Sequence, residues 1–169
     1  MGNPYNGYSW KERDDKFKEM NKRIASDTSD TSDTSDKLSP ASGPCALCGD
    51  PKAAVEYHDE DYSVPYSWSE PAAYAVCRYC HIFQLHMRFT RPVSWQAFLA
   101  HVRRGGYASD LKDPEIKNEV EAARFAIRNG SQAVLRELRP YNRTVGEEWF
   151  ARLRLDSESL TDEKARLRP

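Results

Sequence analysis

Residues 45–81 begin with Cys45-Ala-Leu-Cys48 and end with Cys77-Arg-Tyr-Cys80-His81, and these two pairs hold the only four cysteines of the chain. Two C-x2-C pairs are typical of a tetrahedral zinc site, because each short pair presents two thiolates to one ion and the second pair completes the ligand set. The spacing therefore predicts a structural Zn²⁺ bound by all four cysteines.

Disulfides and covalent haem are the alternatives for the same cysteines. Residues Met1 to Trp10 lack the apolar core of a signal peptide, so we expect a cytoplasmic location, where a reducing environment disfavours disulfides. The second pair with its trailing histidine also fits a haem c attachment motif, but that chemistry needs export and leaves Cys45 and Cys48 without a role. Zinc is the interpretation that uses all four thiols.

Charges are segregated along the 169-residue chain, although their sum is only -1 at neutral pH. Between Ser26 and Glu70 ten acids stand against two lysines, whereas Pro71 to Ser109 contains five arginines and no acid. No run approaches the roughly 18 consecutive apolar residues of a membrane helix. We therefore expect a soluble protein, with an acid-free segment suited to nucleic-acid phosphates.

The composition divides the chain into four segments, predicted as an N-terminal helix (1–25), a disordered acidic linker (26–43), a zinc domain (44–91) and a helical extension (92–169). The first helix has a capping box at Ser9-Trp10-Lys11-Glu12, in which the serine and glutamate satisfy each other's free backbone amides. Its apolar positions, among them Trp10 and Phe17, form a thin stripe suited to docking. The linker carries a repeated Ser-Asp-Thr triplet with no apolar residue to bury.

Turn signals and periodicity predict the elements of the two later segments. Strands are expected over 53–57 and 74–76, followed by a helix from 80 to about 88. Further helices are expected over 94–103, 114–129 and 131–138, and after Thr144. A cysteine knuckle, a hairpin and a helix that carries the last two ligands make a treble clef. The predicted fold class is therefore α+β: a treble-clef ββα-metal zinc domain with a helical C-terminal extension.

Between the cysteine pairs lies the octapeptide His58-Asp59-Glu60-Asp61-Tyr62-Ser63-Val64-Pro65. This octapeptide, set between two C-x2-C knuckles with a histidine directly after the last cysteine, resembles the zinc-containing branch of the HNH (His-Me finger) endonucleases of phages and mobile elements. The resemblance covers residues 45–89, about a quarter of the chain. It implies a metal-dependent DNA endonuclease in which the zinc holds a hairpin and a helix in register.

The resemblance also implies a second, catalytic divalent ion, Mg²⁺, Mn²⁺ or Ni²⁺, held by His58, His81 and His86. Such an ion polarises the scissile phosphate, while a histidine with a pKa near neutral deprotonates water. The implied general base is His58 or Asp59, depending on the alignment. Asp59 stands where the family has its second histidine, and an aspartate with an ordinary pKa of about 4 is a weak base for water.

The helical histidines depart from the family's spacing of four residues, because His86 follows His81 by five. Five residues of an α-helix rotate about 500°, which would place His86 roughly 100° from the ideal overlay. Simpler interpretations make His81 a helix-terminal neighbour of the zinc and His86 a surface or nucleic-acid contact. His101 is expected to be an ordinary exposed or half-buried side chain, and the acids at 59–61 could form a solvated turn.

DNA is the predicted partner, because the acid-free segment interleaves aromatic residues with five candidate nucleic-acid-binding arginines: Arg78, Arg88, Arg91, Arg103 and Arg104. A competing interpretation is a catalytically degenerate zinc-finger protein that binds DNA or a protein partner. A third is an interaction adaptor that would use the 114–129 helix and the segment around Trp149 and Phe150.

Overall fold

The structure is a computed structural model and describes residues 5–25 and 37–141. Over these ranges the chain forms a mixture of helices and one small two-stranded sheet. The elements in chain order are α1 (Trp10–Ala25), β1 (Val55–Asp59), β2 (Ala73–Cys77), a π-helix (Tyr79–Leu85), α2 (Pro92–Arg103), a 3-10 helix (Ala108–Lys112) and α3 (Pro114–Arg128). The α+β class predicted from the sequence is therefore confirmed.

The described residues group into two compact units, which differ from the linear segments that composition predicts. Among the described residues, the first unit combines α1 with the segment 59–74, and the second combines 42–58 with 75–141. The segment 59–74, which connects β1 to β2, therefore groups with the N-terminal helix in the first unit. The second unit contains both cysteine pairs.

The first unit is fastened by polar side chains. The capping box at the start of α1 is present, since the Ser9 amide donates to the Glu12 carboxylate at 2.7 Å. Lys16 is fully buried, and its ammonium donates to the carbonyl oxygens of Asp61 and Ser67 at 2.6 and 2.7 Å. Phe17 is 56% exposed, so the buried face of α1 is the lysine side rather than the apolar stripe that periodicity predicts.

The second unit has a core centred on α2. Trp95, Phe98 and Val102 are buried along this helix, which packs against α3. Proline in the first turn starts each of these two helices, where its missing N–H costs nothing. The Asp113 side chain caps α3 by accepting from the Glu115 amide at 2.8 Å.

The segment 131–138, predicted as a helix, has neither helical nor strand structure. It runs back to the end of α2, where the Leu138 amide donates to the Arg104 carbonyl at 2.8 Å. Gly105 permits this approach, because it has a positive φ of 77° and an added Cβ would lie 1.8 Å from the Arg139 carbonyl oxygen. Tertiary hydrogen bonds therefore replace the helical bonds that local propensity favours.

The other predicted elements are close to the observed ones. Both strands form, with β1 shifted by two residues and β2 longer by one residue at each end. Helix α2 begins at Pro92 rather than Ser94, and α3 matches its prediction. The acidic repeat at 26–36 and the helix expected after Thr144, with Trp149 and Phe150, lie outside the described residues. Among the described helices, none has the length and apolar character needed to cross a membrane.

Candidate metal centres

The two cysteine pairs converge on one point in the second unit. All four sulfur atoms, of Cys45, Cys48, Cys77 and Cys80, lie within 4.8 Å of one another, and all four residues are buried and without a disulfide. The turn after the first pair is closed by the Gly49 amide, which donates to the Cys45 carbonyl at 2.7 Å. Ala46 joins this turn to β2 by donating to the Ala75 carbonyl at 2.7 Å.

This cluster fits a tetrahedral zinc ion. A Zn–S distance of about 2.3 Å places the sulfur atoms of a tetrahedron about 3.8 Å apart, within the separation observed. The Cys77 amide donates to the Cys45 sulfur at 3.2 Å, a bond that favours the thiolate. Hydrogen bonds from the other three thiols lower the pKa of Cys45, whereas burial raises the pKa of Cys80. A bound cation would offset that burial cost, so the four residues suit a structural metal such as zinc.

A second cluster contains three imidazole rings. Ring nitrogens of His58, His81 and His86 lie within 4.8 Å of one another. The ring centroids are 5.0 Å apart for His58 and His81, 5.6 Å for His58 and His86, and 4.5 Å for His81 and His86. His58 is fully buried on β1, while the other two are half-buried. The three histidines implied by the resemblance are therefore close enough to share one ion.

The five-residue spacing of His81 and His86 is accommodated by the π-helix. The His86 amide donates to the His81 carbonyl at 3.1 Å, which is the i to i+5 bond of a π turn. Such a turn contains one residue more than an α-helical turn, so residues five apart come to lie side by side. The expectation that His86 points away from its neighbour is thus wrong, because it assumed α-helical geometry. π turns occur frequently at functional sites.

Glu56 belongs to the histidine cluster and was not predicted from the sequence. Its carboxylate lies 2.7 Å from the His81 Nδ1. A carboxylate on one ring nitrogen fixes the tautomer and leaves the other nitrogen to face an ion, as is usual for metal-binding histidines. Glu56 and His58 are two residues apart on β1 and so share one face of the strand. That alternation is the signal by which the sequence could have revealed it.

Asp59 takes part in the fastening of the first unit. Its carboxylate lies 2.8 Å from the buried Lys16 ammonium. The following acids are used in the same way: Tyr5 and Asn6 donate to the Glu60 carboxylate at 3.2 and 3.0 Å. The acids are therefore neither a solvated turn nor a free reactive group, since their oxygens hold the N-terminal segment.

Asp61 continues this pattern. Tyr8 donates to its carboxylate at 2.6 Å, and the Ser63 amide does so at 2.8 Å. Burial and the Asp61 contact raise the pKa of Tyr8 to about 12. Burial alone would raise the pKa of Asp61, but the hydrogen bonds from Ser63 and Tyr8 outweigh it and lower that pKa. The acids of the octapeptide 58–65 thus have a structural role in this chain.

The candidate DNA-binding arginines divide into two groups. Arg78, Arg91 and Arg103 are exposed, as a phosphate contact requires. Arg88 and Arg104 are buried, which corrects the prediction that they bind nucleic acid. The Arg88 guanidinium lies 4.3 Å from the centroid of the Phe89 ring and donates to a backbone carbonyl.

Arg104 is held together with His101. Its Nε donates to the His101 Nδ1 at 3.1 Å, and its guanidinium forms an ion pair with Glu119. The other His101 nitrogen donates to the Tyr107 carbonyl at 2.9 Å, so the ring is neutral. His101 is fully buried, which corrects the expectation of an exposed or half-buried ring. Burial lowers its pKa, and the residue joins α2 to the following loop.

Comparison with known proteins gave no match: no family model, no curated protein and no solved structure is similar to this chain. The chemistry of the two clusters is therefore the basis for an assignment of function.

Proposed function

We propose that this protein is an HNH-like treble-clef zinc protein that hydrolyses phosphodiester bonds of DNA with the help of a divalent ion. The observation that carries the proposal is the convergence of His58, His81 and His86, beside a separate set of four buried cysteines. Catalytic metal sites commonly combine three protein ligands with an open position, whereas structural zinc sites use four. The two clusters have these two compositions.

The residues of the histidine cluster would have different roles in the proposed hydrolysis. A bound ion would act as a Lewis acid on the scissile phosphate and increase the acidity of water. His81 and His86 present nitrogens to the ion, and Glu56 keeps the His81 ring oriented through its Nδ1. His58 serves either as the third ligand or as the base that accepts a proton from water. Asp59 is less suited to be the base, because its carboxylate forms an ion pair with the Lys16 ammonium.

The donor chemistry restricts the choice among Mg²⁺, Mn²⁺ and Ni²⁺. Imidazole nitrogen suits nickel and zinc, while carboxylate and carbonyl oxygens suit magnesium and manganese. All three candidate donors are imidazoles. We therefore expect Ni²⁺ or Zn²⁺ to occupy the cluster more tightly than Mg²⁺.

A plasmid-nicking assay tests the proposal. Protein whose four cysteines are saturated with zinc would be incubated with supercoiled DNA and added Ni²⁺, Mn²⁺ or Mg²⁺. Cleavage that requires an added ion and is lost in His81→Ala and His86→Ala is the expected result. His58→Ala separates two roles: a ligand variant loses bound metal, whereas a base variant keeps the metal and loses cleavage. Cleavage that survives all three substitutions would refute the assignment of the histidine cluster as the catalytic site.

A catalytically degenerate zinc-finger protein that binds DNA or a protein partner is the second candidate. One observation favours it: if all three clustered histidines bind the ion, His101 is the only histidine left, and it is buried in a structural role. This candidate predicts DNA binding through the exposed Arg78, Arg91 and Arg103 without nicking under any metal. Retained affinity of wild type for DNA, with no cleavage, would establish it in place of the nuclease.

A further inference from the structure

A cavity of about 500 Å³ lies in the second unit, apart from the histidine cluster. Its walls come from the π-helix, α2, the 3-10 helix and α3, and we call it the α2–α3 cavity. Its volume falls within the range of sites that hold small molecules or cofactors. Of the four zinc-site cysteines only Cys77 lines it, and the histidines of the proposed hydrolysis do not.

One wall of the α2–α3 cavity is aromatic. Tyr79 lies with its ring centroid 5.4 Å from that of Phe83 and 6.0 Å from that of Phe98. Phe98 is buried in the core, whereas Phe83 is 59% exposed. A phenyl ring that lines a cavity and remains open to solvent offers a free face on which a planar group can stack.

The rim of the cavity is cationic. Four basic side chains line it against the two carboxylates of Asp50 and Glu121. Glu121 forms an ion pair with Arg124, one of the four. The other three, Arg91, Lys112 and Lys117, are exposed and form no ion pair within the described residues. The rim therefore has an excess of positive charge that suits an anionic group.

We propose that the α2–α3 cavity binds a nucleotide unit, with the base stacked on Phe83 and Tyr79 and the phosphate near Lys112 and Lys117. Aromatic faces combined with cations are the recognition chemistry of single-stranded nucleic acid. The same unit can come from two sources, a free mononucleotide or an unpaired nucleotide within a strand. The proposal does not depend on hydrolysis at the histidine cluster.

Binding measurements on the full-length, zinc-saturated chain test this proposal. The probes are adenosine monophosphate, inorganic phosphate and a short fluorescent oligothymidylate. Removal of an aromatic ring on which a base stacks typically weakens binding about 5- to 150-fold. We expect Phe83→Ala to weaken binding within this range. Phe83→Leu keeps the apolar volume and should show most of the same loss. Lys117→Gln should weaken binding about fivefold and reduce the salt dependence by about one charge.

Matched controls lie on α3, outside the lining of the cavity. Phe125→Ala removes a 68% exposed phenyl ring, and Arg128→Gln removes an exposed cation, neither of which lines the cavity. Both should bind as wild type does, and far-ultraviolet circular dichroism and zinc content establish that every variant is folded. His86→Ala should also bind normally, which separates this site from the proposed nuclease.

Each outcome decides the question. Binding of the mononucleotide alone supports a free ligand, and binding of the oligonucleotide with the same variant pattern supports a strand. Phosphate that binds as tightly as the nucleotide would overturn the stacking role. Equal effects of Phe83→Ala and Phe125→Ala, or no binding of any probe, would overturn the proposal.

Discussion

Replacement of Glu56 by glutamine probes the geometry on which the histidine cluster rests. Glutamine keeps the shape of the side chain but replaces a charge-assisted bond to the His81 Nδ1 by a neutral one of about half the strength. Loss of such an orienting carboxylate typically costs 10- to 100-fold in metal affinity. The Glu56 side chain is 44% exposed, and solvent screens its charge. We therefore expect Glu56→Gln to lower the metal affinity by about tenfold, at the lower end of that range.

The assay is titration of Ni²⁺ into protein whose cysteines already hold zinc, followed by calorimetry. Glu70→Gln is the matched control, because it neutralises an exposed carboxylate in the segment between β1 and β2 and should leave nickel affinity unchanged. His86→Ala should abolish the tight phase, since it removes a ligand. Nickel affinity that is the same in wild type and Glu56→Gln would refute the orienting role, and tight nickel binding by His86→Ala would refute the cluster as a metal site.

Three further results are expected. Lys16→Met should destabilise the protein by about 3–5 kcal/mol in urea unfolding, because it leaves the Asp59 carboxylate without its buried partner; Lys18→Met, on the exposed face, should cost less than about 0.5 kcal/mol. Because burial lowers the pKa of His101, its contribution to the unfolding free energy is fully present above pH 6.5 and declines as the pH falls toward the lowered value. His101→Gln should show a smaller decline in the same unfolding series. Cys77→Ser should reduce bound zinc, measured by atomic absorption, and melt at a markedly lower temperature than wild type; an unchanged zinc content would contradict the four-cysteine site.

The parts of the structure that depend on local sequence were predictable. The cysteine pairs, the capping box of α1 and the Asp113-Pro114 start of α3 all act over four residues or fewer, and each forms as expected. The α+β class follows from the same local signals. Short-range rules suffice where the partner of a group is close in sequence.

Other features depend on partners distant in the chain. Arg104 is buried with an ion pair to Glu119, 15 residues further along the chain, and this distant partner does not show in the local sequence. Lys16 is buried for a similar reason, since its acceptors lie 45 and 51 residues away. A charged residue is predicted to lie at the surface unless its partners are known.

The histidine cluster lies between these cases. All three histidines could be identified in the sequence. The direction predicted for His86 was wrong, because it assumed an α-helix, whereas the backbone forms an i to i+5 bond here. Glu56 lies outside the octapeptide and the cysteine pairs, and only the alternation of β1 relates it to His58. Whether the cluster cuts DNA stays a prediction, and so does the treble-clef assignment.

The π turn between His81 and His86 also bears on how this segment can vary in length. A turn closed over five residues holds one more residue than an ordinary helical turn, so it absorbs an insertion locally without moving either ring out of the cluster. A shortened chain with one residue deleted between the two histidines would revert to four-residue spacing and keep both rings on one helical face. A four-residue spacing in an α-helix and a five-residue spacing in a π turn can thus each bring two rings side by side.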